Sequence, residues 1–135
     1  MKVSDIPFAD HIGIEADNDT LVLEPDSSLQ NHLQTLHAGA QYTLAETQSG
    51  IYLQQLFPEL LGKVIPLLRE SQIKYKKPVT TTLRAQASCS DMALEDFKNR
   101  LDKKGRALIE IEVVLVDPEK SVVAQGRFNW FVQRL

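Results

Sequence analysis

Apolar and polar residues alternate in several short runs of the chain, and apolar residues recur at helical spacing in two longer ones. In "HIGIEADNDTLVLEPD", Ile12 and Ile14 stand among polar neighbours, "ADND" supplies turn residues, and Leu21 and Leu23 resume the alternation before Pro25, the pattern of a β-hairpin. From about His37 to Leu56 there is no proline. There Ala40, Leu44, Ala45, Ile51 and Leu56 fall near helical spacing and Pro58 closes the run, which predicts one long helix. The small residues Ala38, Gly39, Ala40 and Ala45 in its first half would let neighbouring backbone approach closely, as a central, largely covered helix requires.

Beyond Pro58, Ile73 and Tyr75 mark one strand, and Val79, Thr81, Leu83, Ala85 and Ala87 mark another, with Pro78 between them. "DMALEDFKNRLDKKG" opens on acids, carries Met92, Leu94, Phe97 and Leu101 at helical spacing, and closes on Lys103, Lys104 and Gly105, so a short surface helix is expected. In "RALIEIEVVLVDPEKSVVAQGRFNWFVQRL", Leu108, Glu110 and Glu112 alternate with Ile109, Ile111 and Val113, the chain turns at "DPEK", and a last strand returns through Val122 to Val132. No repeat, low-complexity tract or linker interrupts this order. One antiparallel sheet covering one long helix, an α+β architecture, is the economical arrangement.

A chain of 135 residues fits one domain spanning residues 1–135. Its composition, 43% hydrophobic and 24% charged, is that of a chain that folds rather than a disordered one. A net charge of -3 supplies no broad basic field, which disfavours nucleic acid as a partner. The lone Cys89 cannot form an internal disulfide, no apolar run approaches the ~20 residues of a membrane span, and the N-terminus lacks the apolar region of a secretory signal. A cytoplasmic location is expected.

The order of elements, with "N-x5-HAG-x5-AE" at Asn31, His37 and Glu46, resembles the hotdog fold, in which a curved antiparallel sheet wraps one long central helix. More narrowly it resembles the acyl-CoA thioesterases of the 4-hydroxybenzoyl-CoA and phenylacetate-pathway type, whose pattern is an amide residue, a His-Gly-Gly turn and a helix carboxylate. "IPF" near the start, "YKKPV" and "KGRALIEIEV" are similar to the flanking segments of that family. The resemblance covers most of the chain. It implies hydrolysis of an acyl-CoA or acyl-carrier-protein thioester to free acid and thiol, with no cofactor and with sites shared at a homodimer interface.

Thioester hydrolysis needs a polarised carbonyl, an activated water or a nucleophile, and a pocket that excludes bulk solvent. Backbone N–H groups at a helix start lack intrahelical acceptors and carry partial positive charge, so Ala38 and Gly39 are candidate oxyanion donors. Ala38 is the family-equivalent one, standing where relatives usually have Gly. Glu46 is the candidate general base or nucleophile. Asn31 would position the water or the thioester, and His37 either transfers a proton or caps and positions the turn. Gly50 occupies the place, one turn after the carboxylate, where related thioesterases often carry a hydroxyl; its small size would leave space for a long acyl chain. Lys76, Lys77 and Arg106, from the two basic concentrations "KYKKP" and "KKGR", are candidates for the phosphates of coenzyme A. Helical residues nine apart differ by roughly 900°, or half a turn, so His37 and Glu46 would face opposite ways. A homodimer or a larger homo-oligomer would then complete each site, the two sheets joining into one.

Each residue also has a plainer reading. Most helix acids are solvated, but a small-residue helix wrapped by a sheet leaves little exposed surface, which favours a functional Glu46. Asn31 could be an ordinary turn residue, the lysines and arginine solvated faces, and Phe128, Trp130 and Phe131 packing. His11 and His32 have no partner at metal spacing, so no metal site is expected. Cys89 lacks an activating His, and there is no Gly-x-Ser-x-Gly elbow. Two rivals remain: a non-catalytic acyl-CoA-binding module, and a β-hydroxyacyl dehydratase or hydratase, whose "HFPG" and "NPxHxD" patterns this chain lacks.

Overall fold

The computed structural model describes all 135 residues. After a 3-10 turn at Val3–Asp5 comes a short helix α1 (Pro7–His11), then strands β1 (Glu15–Asp17) and β2 (Thr20–Leu23) and the long helix α2 (Ala38–Leu56). Strands β3 (Val64–Tyr75) and β4 (Leu83–Ser88), helix α3 (Asp91–Lys104) and strands β5 (Arg106–Val116) and β6 (Val122–Arg134) complete the chain. The six strands form one antiparallel sheet in the order β1-β2-β4-β5-β6-β3. The sheet wraps α2, the α+β arrangement that the resemblance implied.

The longest ladders lie at the C-terminal hairpin. β5 and β6 pair from Arg106↔Gln133 to Val116↔Val122, and β3 pairs with the other edge of β6 from Val64↔Arg134 to Tyr75↔Ala124. The alternation read from the sequence decides their faces. Ala107, Ile109, Ile111, Val113 and Leu115 point inward and are buried, while Leu108, Glu110 and Glu112 point out. These inward residues join α2 and α3 in one cluster of 26 buried residues.

α2 begins and ends where the sequence says it should. His37 caps it, Nδ1 accepting from the Gly39 N–H at 2.8 Å, and the helix stops at Phe57 ahead of Pro58. Helices on a protein surface show an apolar stripe and a polar face; α2 instead buries Ala40, Leu44, Ala45 and Leu53 together with Gln41, Thr47, Gln48 and Ser49. Such burial is tolerable only where the polar groups find partners. Gln48 Oε1 accepts from the Leu21 N–H of β2 at 2.8 Å, Ser49 Oγ accepts from Trp130 Nε1 of β6 at 2.9 Å, and Tyr42 shares a 2.7 Å hydrogen bond with Ser71 of β3. The helix is thus fastened to three strands by side chains that a solvated helix would turn outward.

Three expectations shift. Ile12 and Ile14 precede the first hairpin rather than forming its strand: Pro7 at the first helical position starts α1, Ile12 ends it, and Ile14 is buried just before β1. β3 starts at Val64, well before Ile73, because it is an edge strand, where the missing N–H of Pro66 costs no ladder bond. β4 starts only at Leu83; Val79 is buried outside the sheet, its carbonyl accepting from the Leu36 N–H at 2.8 Å, so this segment braces the approach to α2.

α3 is capped by Ser90, whose Oγ accepts from the Ala93 N–H, and ends at Gly105 with φ +72°. Phe97 and Leu101 are its buried side chains. A side chain at this left-handed position costs about 1–2 kcal/mol, so Gly105→Ala is expected to lower the unfolding free energy by that amount, read as a shift of the urea midpoint at constant slope.

Candidate active site

Glu46 is the sole charged residue of α2. It is half-buried, and no hydrogen bond or ion pair engages its carboxylate. Burial alone therefore acts on it, disfavouring the charged form and pushing its pKa above the ordinary 4.5. The carboxylate opens on a cleft between α2 and the β3–β6 edge, lined by Thr47, Gly50, Gln54, Pro66 and Trp130, with Met1 and Ile6 of the N-terminal segment across it.

The room expected at Gly50 is taken. A Cβ built there would lie 3.2 Å from the ring of Trp130, so the glycine lets the indole lie against the helix. The indole N–H binds Ser49 Oγ, and that hydroxyl donates in turn to the Glu46 carbonyl at 2.6 Å. Ser49 thus holds the backbone of Glu46 and the tryptophan together, and its hydroxyl is turned away from the carboxylate.

At the helix start, the Gly39 N–H is spent on the His37 cap, and the Ala40 and Gln41 N–H groups both reach the His37 carbonyl. The Ala38 N–H has no acceptor in the chain. Of the two candidate oxyanion donors, Ala38 is the free one. Gly39 has a different part: a Cβ on it would stand 3.0 Å from His37 Nδ1, so its missing side chain gives the capping imidazole room. His37 itself is exposed and commits Nδ1 to that bond. The Asn31 amide is engaged within its own loop, Oδ1 accepting from the Leu33 and Thr35 N–H groups and Nδ2 donating to Thr35 Oγ1.

The turn and the carboxylate are not united within one chain. His37, Gly39, Ala40 and Thr43 line a separate cleft with Phe8, Ile12 and Leu29. The half-turn offset expected between His37 and Glu46 is not the cause, because His37 is the cap and lies outside the helical turns. Gly39, Thr43, Glu46 and Gly50 follow one another at four, three and four residues, and so share a side of α2. Axial distance separates them: Ala38 and Glu46 are eight residues apart, about 12 Å along the axis. One carbonyl cannot touch both groups.

Of the basic candidates, Lys76 and Lys77 follow β3 directly after Tyr75, whose hydroxyl donates to the Ala38 carbonyl at 3.0 Å. Burial, and after it the neighbouring Tyr42, raises the Tyr75 pKa, so the phenol stays a donor. Lys76 Nζ lies 3.3 Å from Gln125 Oε1, and Lys77 pairs with Asp117 at 3.2 Å. Arg106 pairs in register with Gln133 at the far end of the β5–β6 hairpin, whereas the Lys76 N–H bonds the Val123 carbonyl. Val123 and Gln133 are ten residues of strand apart, or roughly 33 Å, so Arg106 cannot share a phosphate site with Lys76 and Lys77 in one chain. No three His, Cys, Asp or Glu side chains gather where they could hold a metal ion. No helix is long and apolar enough to cross a membrane.

Trp130, Thr47, Gln54 and Pro66 joined the cleft without sequence warning, since Trp130 lies 84 positions from Glu46 in the chain and reads as packing. The one legible signal was charge: a single acid in a helix otherwise free of charged residues.

The fold is shared with solved proteins. The chain superposes on a Pseudomonas aeruginosa protein of unknown function, described as a probable thioesterase, at TM-score 0.82 and 22% identity, over 98% of this chain and 91% of that one. It matches a Bacillus halodurans protein solved with CoA at TM-score 0.72 and 28% identity, over 93% and 74% of the two chains. A Haemophilus influenzae thioesterase matches at TM-score 0.77 and 17% identity, over 98% and 87%. The architecture is that of the hotdog proteins. The chain belongs to the family described as "Domain of unknown function (DUF4442)", which matches residues 12–132. No curated protein matches it.

A carboxylate whose pKa burial has raised gives stability that is present below its unfolded value and is lost as pH rises through the folded one. Glu46→Gln removes the burden of the buried charge. It is expected to raise the melting temperature at pH 7 to 8, with the difference from wild type vanishing below about pH 4.5, the ordinary glutamate value. A variant less stable than wild type at pH 8 would mean that the carboxylate has an ionic partner.

Proposed function

We propose that the protein is a thioesterase that hydrolyses an acyl group on coenzyme A or on a carrier protein, with Glu46 as general base or nucleophile and the Ala38 N–H as oxyanion donor. The observation that carries the reading is the unpartnered, half-buried carboxylate of Glu46, the sole charge on α2 and raised in basicity by burial. A base working near neutral pH gains from such a shift. The sulfur ester gains a water and leaves as a carboxylic acid and a thiol. Support comes also from the Bacillus halodurans protein, which holds CoA on a similar fold. The narrower likeness to the 4-hydroxybenzoyl-CoA and phenylacetate type rests on the Asn31, His37 and Glu46 pattern and its flanking segments alone.

The active unit in this reading is a two-fold dimer. The sheet leaves accessible on α2 a strip of Gly39, Thr43, Glu46 and Gly50, short side chains apart from the acid, on which a second helix can lie closely. An antiparallel pairing about an axis near Thr43 puts the start of one helix beside Glu46 of the other. β3, with twelve residues and one unpaired edge, is the strand through which the two sheets would join. Lys76 and Lys77, tied through Tyr75 to the Ala38 turn, would meet the phosphates of the bound thiol.

Two variants test this. With a thiol-reporting assay over a range of acyl-CoAs, Glu46→Gln is expected to lower kcat by about 10²–10⁴; unchanged hydrolysis removes Glu46 from its role. Ala38→Pro deletes the N–H at the first helical position, where proline is tolerated, and His37 already has the extended backbone (φ -60°, ψ 139°) that a residue before proline prefers. It is expected to cost about 10²–10³ in kcat with stability retained. Refolding the two dead variants together should restore about a quarter of wild-type activity, because half the dimers are mixed and each holds one intact site. Sites contained within one chain would give no rescue.

A further inference from the structure

A second, strongly apolar cavity adjoins the Glu46 cleft. It lies under the C-terminal half of α2, where Leu53 and Phe57 face Val64 of β3, Val132 of β6 and Phe97 of α3, and it measures ≈ 620 Å³ counted to its open mouth. Met1, Gln54 and Pro66 border both spaces, so the two lie side by side. On the helix, Glu46, Gly50, Leu53 and Phe57 succeed one another at four, three and four residues, which puts them along one side. On the sheet, Pro66 and Val132 are register partners, with Trp130 two residues back on the same face of β6. The result is a seam between α2 and the β3–β6 edge that leads from the carboxylate to the Phe57–Phe97 ring pair, whose centroids are 5.1 Å apart.

We propose that this seam holds the tail of an unbranched, saturated acyl chain, with the thioester at Glu46 and the terminal methyl against the Phe57–Phe97 ring pair. The proposal rests on the thioesterase reading for the position of the ester and names the substrate class within it. Gln54 is the one polar side chain along the cavity, and it stands at the junction rather than at the floor. A hydroxylated or charged acyl terminus would therefore reach the floor without a partner, which a buried polar group does not tolerate. Length follows from the helix: seven residues from Glu46 to Leu53 are about 10 Å and eleven to Phe57 about 16 Å. With single C–C bonds of about 1.5 Å in a zigzag, those distances correspond to roughly eight to twelve carbons. Leu61, half exposed on the loop after α2, closes the outer wall.

The test separates the tail site from the chemistry by using S-alkyl-CoA thioethers, which cannot be hydrolysed. Calorimetric titration of the full-length protein is expected to show S-dodecyl-CoA binding at least tenfold tighter than S-butyl-CoA, since each buried methylene contributes up to about fourfold. In Leu61→Trp, whose indole fills the cavity, the two affinities should converge. Equal affinities in the wild type, no binding of either thioether, or a length preference untouched by Leu61→Trp would each overturn the proposal. Acyl-CoA hydrolysis is measured in parallel. Length-dependent binding without hydrolysis would leave the tail site standing and sink the thioesterase reading; hydrolysis without length-dependent binding would do the reverse.

Discussion

The structure depends on a helix that has to lie inside a sheet. On its sheet-facing side α2 cannot send Gln41, Thr47, Gln48 and Ser49 to water, and burying them unpaired would cost more than the apolar contacts return. Two of these side chains find partners on the sheet, Gln48 on β2 and Ser49 with Trp130 on β6, and the half-buried Tyr42 joins Ser71 of β3. Gln41 spends its amide nitrogen on the Leu36 carbonyl and leaves its oxygen unpaired. These bonds fix the rotation of α2 as well as its place. Rotation then decides which side of the helix stays open, and on that side stands Glu46.

A lone carboxylate in such a setting works against folding. Desolvation raises its pKa, and no cation or hydrogen-bond donor offsets it. Strain of this kind collects where chemistry needs a reactive group. The same geometry explains the roles of two glycines. Gly39 makes way for the imidazole that caps α2, and Gly50 makes way for the indole that walls the cleft. Both are used for close approach, at the two ends of one accessible strip.

A helix start and a carboxylate about 12 Å apart on a rigid rod cannot be brought together by any rearrangement of side chains. Reversal of a second, identical rod can do it. The long unpaired edge of β3 is a feature that such a pairing would use. The apolar seam beyond Gly50 follows from the same packing, since it is the space left between the C-terminal half of α2, α3 and the last strands.

Much of this was legible in the residues. Period and punctuation located α2 to within a residue, with His37 as cap and Pro58 as stop, and the alternation in β5 separated its inward from its outward residues, because these signals are local and the backbone answers to them directly. The motif around Asn31, His37 and Glu46 drew attention to α2. Tertiary structure decided the rest: that the Asn31 amide closes its own loop, that Gly39 serves the cap while Ala38 keeps a free N–H, that Trp130 fills the room beside Gly50, and that Arg106 stands a full hairpin away from Lys76. Each of these is a contact between positions far apart in the chain or a choice among several donors, and a sequence records which groups are present without recording which of them meet.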